Sequence, residues 1–145
     1  MRKHEKYLIL PKESISPTTI TSGSAKTGDA IDRIDNMHLG VVYNALISAT
    51  LSSGETATVS YKLQESPSTT AASMSDISGA TSSITLTGST GGSTETTMLT
   101  IREDVEGEDQ YARDSLTVTL STPSGDSAIV GSNVILTGGA VQPEA

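Results

Sequence analysis

Apolar side chains recur at every second position along most of this chain. In Val41-Val42-Tyr43-Asn44-Ala45-Leu46-Ile47-Ser48-Ala49-Thr50-Leu51 every odd position is apolar and the even positions are mixed. From Thr56 to Gln64, Ala57, Val59, Tyr61 and Leu63 alternate with Thr58, Ser60, Lys62 and Gln64. Ser115 to Ser121 repeats the pattern, with Leu116, Val118 and Leu120 on one parity and Ser or Thr on the other. Ile84 with Leu86, Leu99 with Ile101, and Val134 with Leu136 mark further strands. A period of two sends one face to a core and the other to solvent, which is the arrangement of antiparallel sheets. Helical spacing does not recur.

Turn-forming residues separate these runs: Ser52-Ser53-Gly54, Ser78-Gly79, Gly88 to Ser93, and Pro123-Ser124-Gly125-Asp126. The spacing predicts an all-β fold, an antiparallel, jelly-roll-like β-sandwich of about seven to eight strands. Residues 42–65 read as a hairpin turning at Ser52 to Glu55. Residues 11–30, rich in Ser, Thr, Pro and Gly, read as an extended arm or long loop, and Gly88 to Ser93 as a flexible tip. The expected division is an extended N-terminal arm over residues 1–28, a β-sandwich domain over 29–138 and a flexible C-terminal tail over 139–145.

Composition narrows what such a sandwich could do. A chain of 145 residues has the length of one domain and buries roughly two-thirds of its unfolded surface. Only 34% of it is apolar, with no Trp and no Phe, so the core must be built from Ile, Leu, Val, Ala and Met. The lack of cysteine removes disulfides and thiolate metal sites and fits an intracellular assembly. No apolar run reaches the roughly 18 residues of a spanning helix. The start, Met1-Arg2-Lys3-His4-Glu5-Lys6-Tyr7-Leu8-Ile9-Leu10, has too short an apolar stretch for a signal peptide. The net charge of −8 is unevenly spread: Arg2, Lys3, Lys6 and Lys12 against Glu5 give residues 1–12 a local +3 and leave −11 for the remainder. So acidic a body repels phosphate, and no nucleic-acid partner is expected. The basic segment either docks on an acidic neighbour or is a solvated terminus.

Candidate chemistry is sparse. The histidines, His4 and His38, have no metal-binding spacing, and no G-x-S-x-G or P-loop pattern occurs. A serine nucleophile needs a base held by a third group, and His38 is the one candidate base in the body. No catalytic, cofactor-binding or metal-ligating residue is therefore assigned. The densest charge lies in Arg102-Glu103-Asp104-Val105-Glu106-Gly107-Glu108-Asp109. Glu103, Asp104, Glu106, Glu108 and Asp109 could form a solvated loop that discourages edge pairing, an irregular calcium site, or a contact for a basic partner. Sugar platforms need exposed aromatic faces, whereas Tyr43 and Tyr61 fall on the apolar parity of their strands and read as core.

The order of pieces resembles the small β-sandwich cement (decoration) proteins of tailed-bacteriophage capsids. The matching pieces are Leu63-Gln64-Glu65-Ser66, then Asp76-Ile77-Ser78-Gly79, then Tyr111-Ala112-Arg113 leading into Leu116-Thr117-Val118-Thr119-Leu120. The close is Ala128-Ile129-Val130-Gly131 through Leu136-Thr137-Gly138-Gly139. Two departures stand out: Met74-Ser75 replaces the usual aromatic before Asp-Ile/Val, and Asp109-Gln110 the usual basic lead-in to Tyr111. The resemblance covers about residues 40–140. It implies a non-enzymatic virion protein made in the host cytoplasm, located on the capsid surface and stabilising the lattice of the major capsid protein. It further implies a homodimer or homotrimer, without cofactor, membrane or nucleic-acid partner. Arg2, Lys3, Lys6, Tyr7 and Lys12 would form a capsid-contact arm, and the acidic loop a second contact. The alternatives are another head, head–tail or tail component of a phage, or a secreted β-sandwich binding or adhesion module.

Overall fold

The computed structural model describes residues 10–21, 23, 25–32, 40–104 and 109–137. The alternating segments are strands. They are β1 (Leu10–Ile20), β2 (Lys26–Thr27), β3 (Ile31–Asp32), β4 (Gly40–Leu51), β5 (Thr56–Ser66), β6 (Ser75–Thr87), β7 (Ser93–Asp104), β8 (Tyr111–Leu120) and β9 (Ser127–Thr137). The described residues hold no helix beyond a single 3₁₀ turn at Ala71–Ser73.

One sheet runs β1-β9-β4-β7 and the other β2-β8-β5-β6, with β3 also on β8. All pairings are antiparallel. β5 occupies one edge of β8, so β2 and β3 share the other as two pieces of one interrupted strand. With those pieces taken together, the two sheets carry the interleaved order of an eight-stranded jelly roll. The all-β sandwich expected from the sequence is the fold observed.

The inward parity is as the alternation predicts. Tyr43, Ala45, Ile47 and Ala49 of β4 face Ala57, Val59, Tyr61 and Leu63 of β5 across the layers, all fully buried. Leu116 and Val118 of β8 and Val130 and Val134 of β9 complete the centre. The core is aliphatic, with Tyr43 and Tyr61 as its largest members.

Four local expectations are corrected. Residues 42–65 are not a hairpin: β4 pairs with β7 and β9, whereas β5 pairs with β6 and β8. The turn at Ser52 to Glu55 crosses from one sheet to the other. Alternation cannot separate strands lying side by side from strands facing each other, because both bury the same parity. Residues 10–20, expected within an extended arm, are strand β1 on β9, with Ile15 and Ile20 turned into the core. Its ladder is broken by register shifts around Ile15, which mask the period of two. Ser78-Gly79 does not end a strand: β6 runs through it, with Gly79 at φ 82 where the opposite strand shifts register between Lys62 and Gln64. Finally, the glycine-rich tip is a hydrogen-bonded turn. Gly88 N–H donates to Glu55 O at 2.8 Å, Gly54 N–H donates to Gly88 O at 2.9 Å, and a side chain at Gly88 would collide with Ser52 O.

One polar cluster ties the layers together. Asp114 of β8 is fully buried, and its carboxylate accepts from Tyr61 Oη of β5 at 2.7 Å, from Ser132 Oγ of β9 and from Ser14 Oγ of β1. Ser132 Oγ in turn accepts from the Ile15 N–H at 3.0 Å, across the first register shift of β1. Gly28 N–H donates to Asp114 O at 3.0 Å, and a Cβ there would overlap both Ser14 Oγ and the Asp114 carboxylate, so the close approach requires glycine. A buried carboxylate is costly unless its lone pairs are filled, and here hydroxyls from both sheets fill them. Burial, and then the Asp114 charge, push the Tyr61 phenol far above its ordinary value.

Two predictions follow from this cluster. Tyr61→Phe removes one charged hydrogen bond and should cost about 2 kcal/mol, and Asp114→Ala, which strands hydroxyls of three strands, about 3 kcal/mol or more. Urea unfolding followed by circular dichroism measures both, and an unchanged midpoint for Asp114→Ala would remove the cluster from the account. The second concerns alkali. Because the folded Tyr61 holds its proton where the unfolded phenol loses it near pH 10, the unfolded state binds fewer protons above that pH. The Tyr61 contribution to stability should therefore be constant below about pH 10 and fall above it by up to about 1.4 kcal/mol per pH unit. In ultraviolet titration, at least one of the four tyrosines should ionise only on unfolding.

Candidate protein-interaction surface

The two outer faces of the sandwich differ in chemistry. On the β2-β8-β5-β6 sheet the outward positions of β5 and β6 are Ser, Thr and charged residues. Lys62 Nζ donates to Asp76 Oδ2 at 2.7 Å, Gln64 Nε2 to Asp76 Oδ1 at 2.9 Å, and Arg113 Nε to Gln64 Oε1 at 3.0 Å. The hydrogen bond from Lys62, then that from Gln64, hold the Asp76 carboxyl below its ordinary value. Thr58 and Thr85 meet further along the same face. This is a solvated surface.

The outer face of the β1-β9-β4-β7 sheet is built in rows set by strand register. In one row Thr100 Oγ1 donates to Asn44 Oδ1 at 2.8 Å, and Asn44 Nδ2 donates to Asn133 Oδ1 at 3.2 Å. The next row is Met98, Leu46 and Gly131, and the one after it Thr96, Ser48 and Ile129. Leu46, Met98 and Ile129 are 55%, 63% and 54% exposed, the largest exposures among the large apolar residues described. Beside them the register shift of β1 brings Pro17 against Gly131, where a Cβ would touch Pro17 at 3.5 Å. Met98, Leu46, Ile129, Pro17, Gly131 and Ile15 line a groove of about 500 Å³.

Charge is arranged to leave this face open. Glu95 and Glu103 lie on the opposite parity of β7 from Met98, so neither carboxylate stands on the outer face. Arg102 is exposed at one margin, and Lys12 and Glu13 line the groove at the other, where Glu13 accepts from Ser16 Oγ. For a chain of net charge −8, it is a marked departure from the average surface that carboxylate residues occupy only the margins of this four-stranded face, Glu13 on β1 and Asp104 at the end of β7. Sheet faces that present uncharged, partly apolar area suit protein partners rather than small anions.

The sequence did not single out this surface, although it left a trace. Leu46, Met98 and Ile129 are apolar residues on the wrong parity: Leu46 at an even position of β4, Met98 beside Leu99, and Ile129 between Ala128 and Val130. A core accounts only for the other parity of each strand, odd in β4 and β7 and even in β9.

The residues singled out for contact fall elsewhere. Arg2, Lys3, Lys6 and Tyr7 lie outside the described residues, as do His4, His38, Glu106 and Glu108. Lys12 is exposed on β1. Glu103 pairs with Val41 at the end of β7, and Asp104, the last residue of that strand, pairs with Gly40. The Asp109 N–H donates to Glu65 Oε2 at 3.0 Å. No group of three or more His, Cys, Asp or Glu side chains gathers as a metal site among the described residues. At the far end of the sandwich, Asp126 Oδ1 accepts from both N–H and Oγ of Ser52 at 2.8 Å, joining the β8–β9 and β4–β5 loops. Glu55 beside it accepts from Ser121 Oγ, which with Thr122 holds its carboxyl below the ordinary value. These carboxylates are engaged in fastening loops. Tyr43 and Tyr61 are buried, so neither offers a stacking platform.

Comparison with protein families and with curated proteins finds no match. Among solved structures the chain is similar to one of the infectious bursal disease virus Gx strain, at 12% identity and a TM-score of 0.49 over 94% of this chain and 35% of that one. It is similar to the infectious bursal disease virus VP2 subviral particle, at 10% identity and a TM-score of 0.46 over 93% of this chain and 34% of that one. A third likeness is to Desmodium yellow mottle tymovirus, at 8% identity and a TM-score of 0.35 over 100% of this chain and 97% of that one. The chain spans about a third of the length of the infectious bursal disease virus chains it is similar to.

Proposed function

We propose that this protein is a non-enzymatic structural component of a virion, and specifically a cement protein that sits on the capsid surface and stabilises the lattice of the major capsid protein. The observation that carries this reading is the exposed face of the β1-β9-β4-β7 sheet, with carboxylate residues only at its margins, which suits assembly with protein subunits, copies of this chain included. Such a molecule is equipped to touch proteins over a wide area. The jelly-roll order is one used by viral capsid, lectin and cupin domains. A lectin would stack sugars on exposed aromatic rings, and a cupin would gather metal-ligating side chains at its core. Among the described residues Tyr43 and Tyr61 are buried, Tyr111 stands half-buried without an aromatic neighbour in sequence, and no donor cluster is present. Fold alone does not assign function. What supports the capsid reading over the others is the order of pieces from Leu63-Gln64 to Thr137-Gly138 shared with cement proteins.

In this reading the chain assembles with copies of itself and with the major capsid protein, and is made in the host cytoplasm. The basic segment before β1 contacts a neighbouring subunit through Arg2, Lys3, Lys6 and Tyr7, with Lys12 of β1 beside them. The acidic segment from Glu103 to Asp109 provides a second contact. Contacts that are weak singly add on a repeating lattice through effective concentration. The net charge of −8 argues against a nucleic-acid partner.

Purified protein should bind assembled cognate capsids and raise their melting temperature, since a ligand that binds only the assembled state stabilises it by mass action. Cosedimentation and calorimetry measure the two effects. Absence of both on the cognate capsid would end this reading. Cryo-electron microscopy of decorated particles should place the density at lattice positions over the whole head. Density confined to one vertex would make it a head–tail or tail part instead.

A further inference from the structure

The outer face of the β1-β9-β4-β7 sheet has a self-complementary layout. Consider a second copy related by a two-fold axis that runs along the strands, between β4 and β9, in the plane just above this face. That operation keeps height along the strands and exchanges left for right. β4 of one copy then lies over β9 of the other, and β7 over β1. Leu46 and Gly131 are paired within the sheet, so Leu46 of each copy comes to lie over Gly131 of its partner, a large side chain above the position without one. Met98 is in the same row and comes over the β1 bulge at Pro17, which packs against Gly131. These are the residues of the groove, so each copy offers both the projections and the hollow that receives them.

The charges fit the same operation. Arg102 is at the β7 margin and Glu13 at the β1 margin, and Glu13 pairs with Asn133 in the row of Asn44 and Thr100. Arg102 of one copy is thus two residues, about 7 Å, along from Glu13 of the other, a gap an arginine side chain covers. The contact occurs twice by symmetry. Without that pairing, two bodies of net charge −8 would repel, and the carboxylate residues at the described outward positions of this face stand only at its margins, Glu13 on β1 and Asp104 at the end of β7.

Four strands of about ten residues cover roughly 19 by 34 Å, or about 650 Å² per copy and about 1,300 Å² in all, which lies within the range of specific interfaces.

We propose that this face is the interface of a two-fold homodimer, in which Leu46 and Met98 of each copy fill the groove at Pro17 and Gly131 of the other and Arg102 pairs with Glu13. The dimer deepens the self-assembly part of the virion reading and rests on it. It leaves the basic N-terminal segment and the Ser/Thr-rich outer face of the second sheet for the capsid.

Sedimentation equilibrium of the full chain tests it. The wild type should be a dimer. Leu46→Asp, an exposed position whose fold is checked by circular dichroism, should be monomeric. Arg102→Glu should weaken association about a hundredfold by placing like charges together, and Glu13→Arg should do the same. The double variant carrying both Arg102→Glu and Glu13→Arg should regain most of the lost affinity, which a role in folding alone would not produce. A wild type that stays monomeric overturns the proposal, as does a dimer untouched by Leu46→Asp or a double variant no better than the singles. Binding of the variants to cognate capsids keeps the two readings apart. A monomeric wild type that still decorates capsids refutes the dimer and leaves the cement role intact. A dimer that ignores capsids does the reverse. If the face proves to be covered by the capsid protein, Leu46→Asp will abolish decoration without a wild-type dimer having existed, and that too overturns the proposal.

Discussion

The structure depends on one buried carboxylate. The facing residues of the two sheets are small aliphatics with a pair of tyrosines, and apolar packing of that kind is permissive about how the layers are set against each other. Asp114 is not permissive. Its oxygens require donors, and those present come from strands on both layers and from β1 at the margin. A sheet that slid by one residue would leave a charge without partners in the interior, at a cost exceeding that of an imperfect aliphatic contact. Register is therefore specified by polar chemistry, and apolar area supplies the driving force.

That division of labour extends to other described carboxylates. Asp114, Asp126 and Glu55 each accept from hydroxyls or N–H groups that belong to other strands or loops. Meanwhile the outer faces diverge. One carries a Lys62–Asp76–Gln64–Arg113 network suited to water, and the other an uncharged band centred on Leu46 and Met98. A molecule with one wet face and one dry face is oriented with respect to whatever it joins.

Much of the fold was legible in the sequence because period-two alternation is a direct record of which side chains face inward. Tyr43, Tyr61, Leu63 and Val118 were assigned to the core from parity, and they are buried. What alternation does not record is which strands are neighbours. β4 and β5 were read as a hairpin and lie instead in opposite layers, because strands adjacent in a sheet and strands facing across a core share one pattern. β1 escaped notice because its register shifts and prolines interrupt the period, even though Ile15 and Ile20 still reach the core. The candidate surface was present only as the off-parity residues Leu46, Met98 and Ile129. A single off-parity residue means little, and register was needed to show that these three stand together. The buried Asp114 lay on the apolar parity of β8 between Ala112 and Leu116, a conflict between pattern and residue type that marks a specified polar site.

The position of β9 has a temporal side. It lies between β1 and β4, pairing Leu10 with Leu136 and Thr50 with Ser127, so the first sheet has a missing centre until the most C-terminal strand arrives. During synthesis β1 and β4 leave the ribosome with their shared neighbour still unmade, and Ser14 waits for Asp114 as Ile15 waits for Ser132. Closure of the sheet waits for a strand that follows all the others described, so folding is governed by contacts between distant segments and is slow by nature. The unfinished half-sheet exposes strand edges in the interval, and unpaired edges of that kind are open to aggregation.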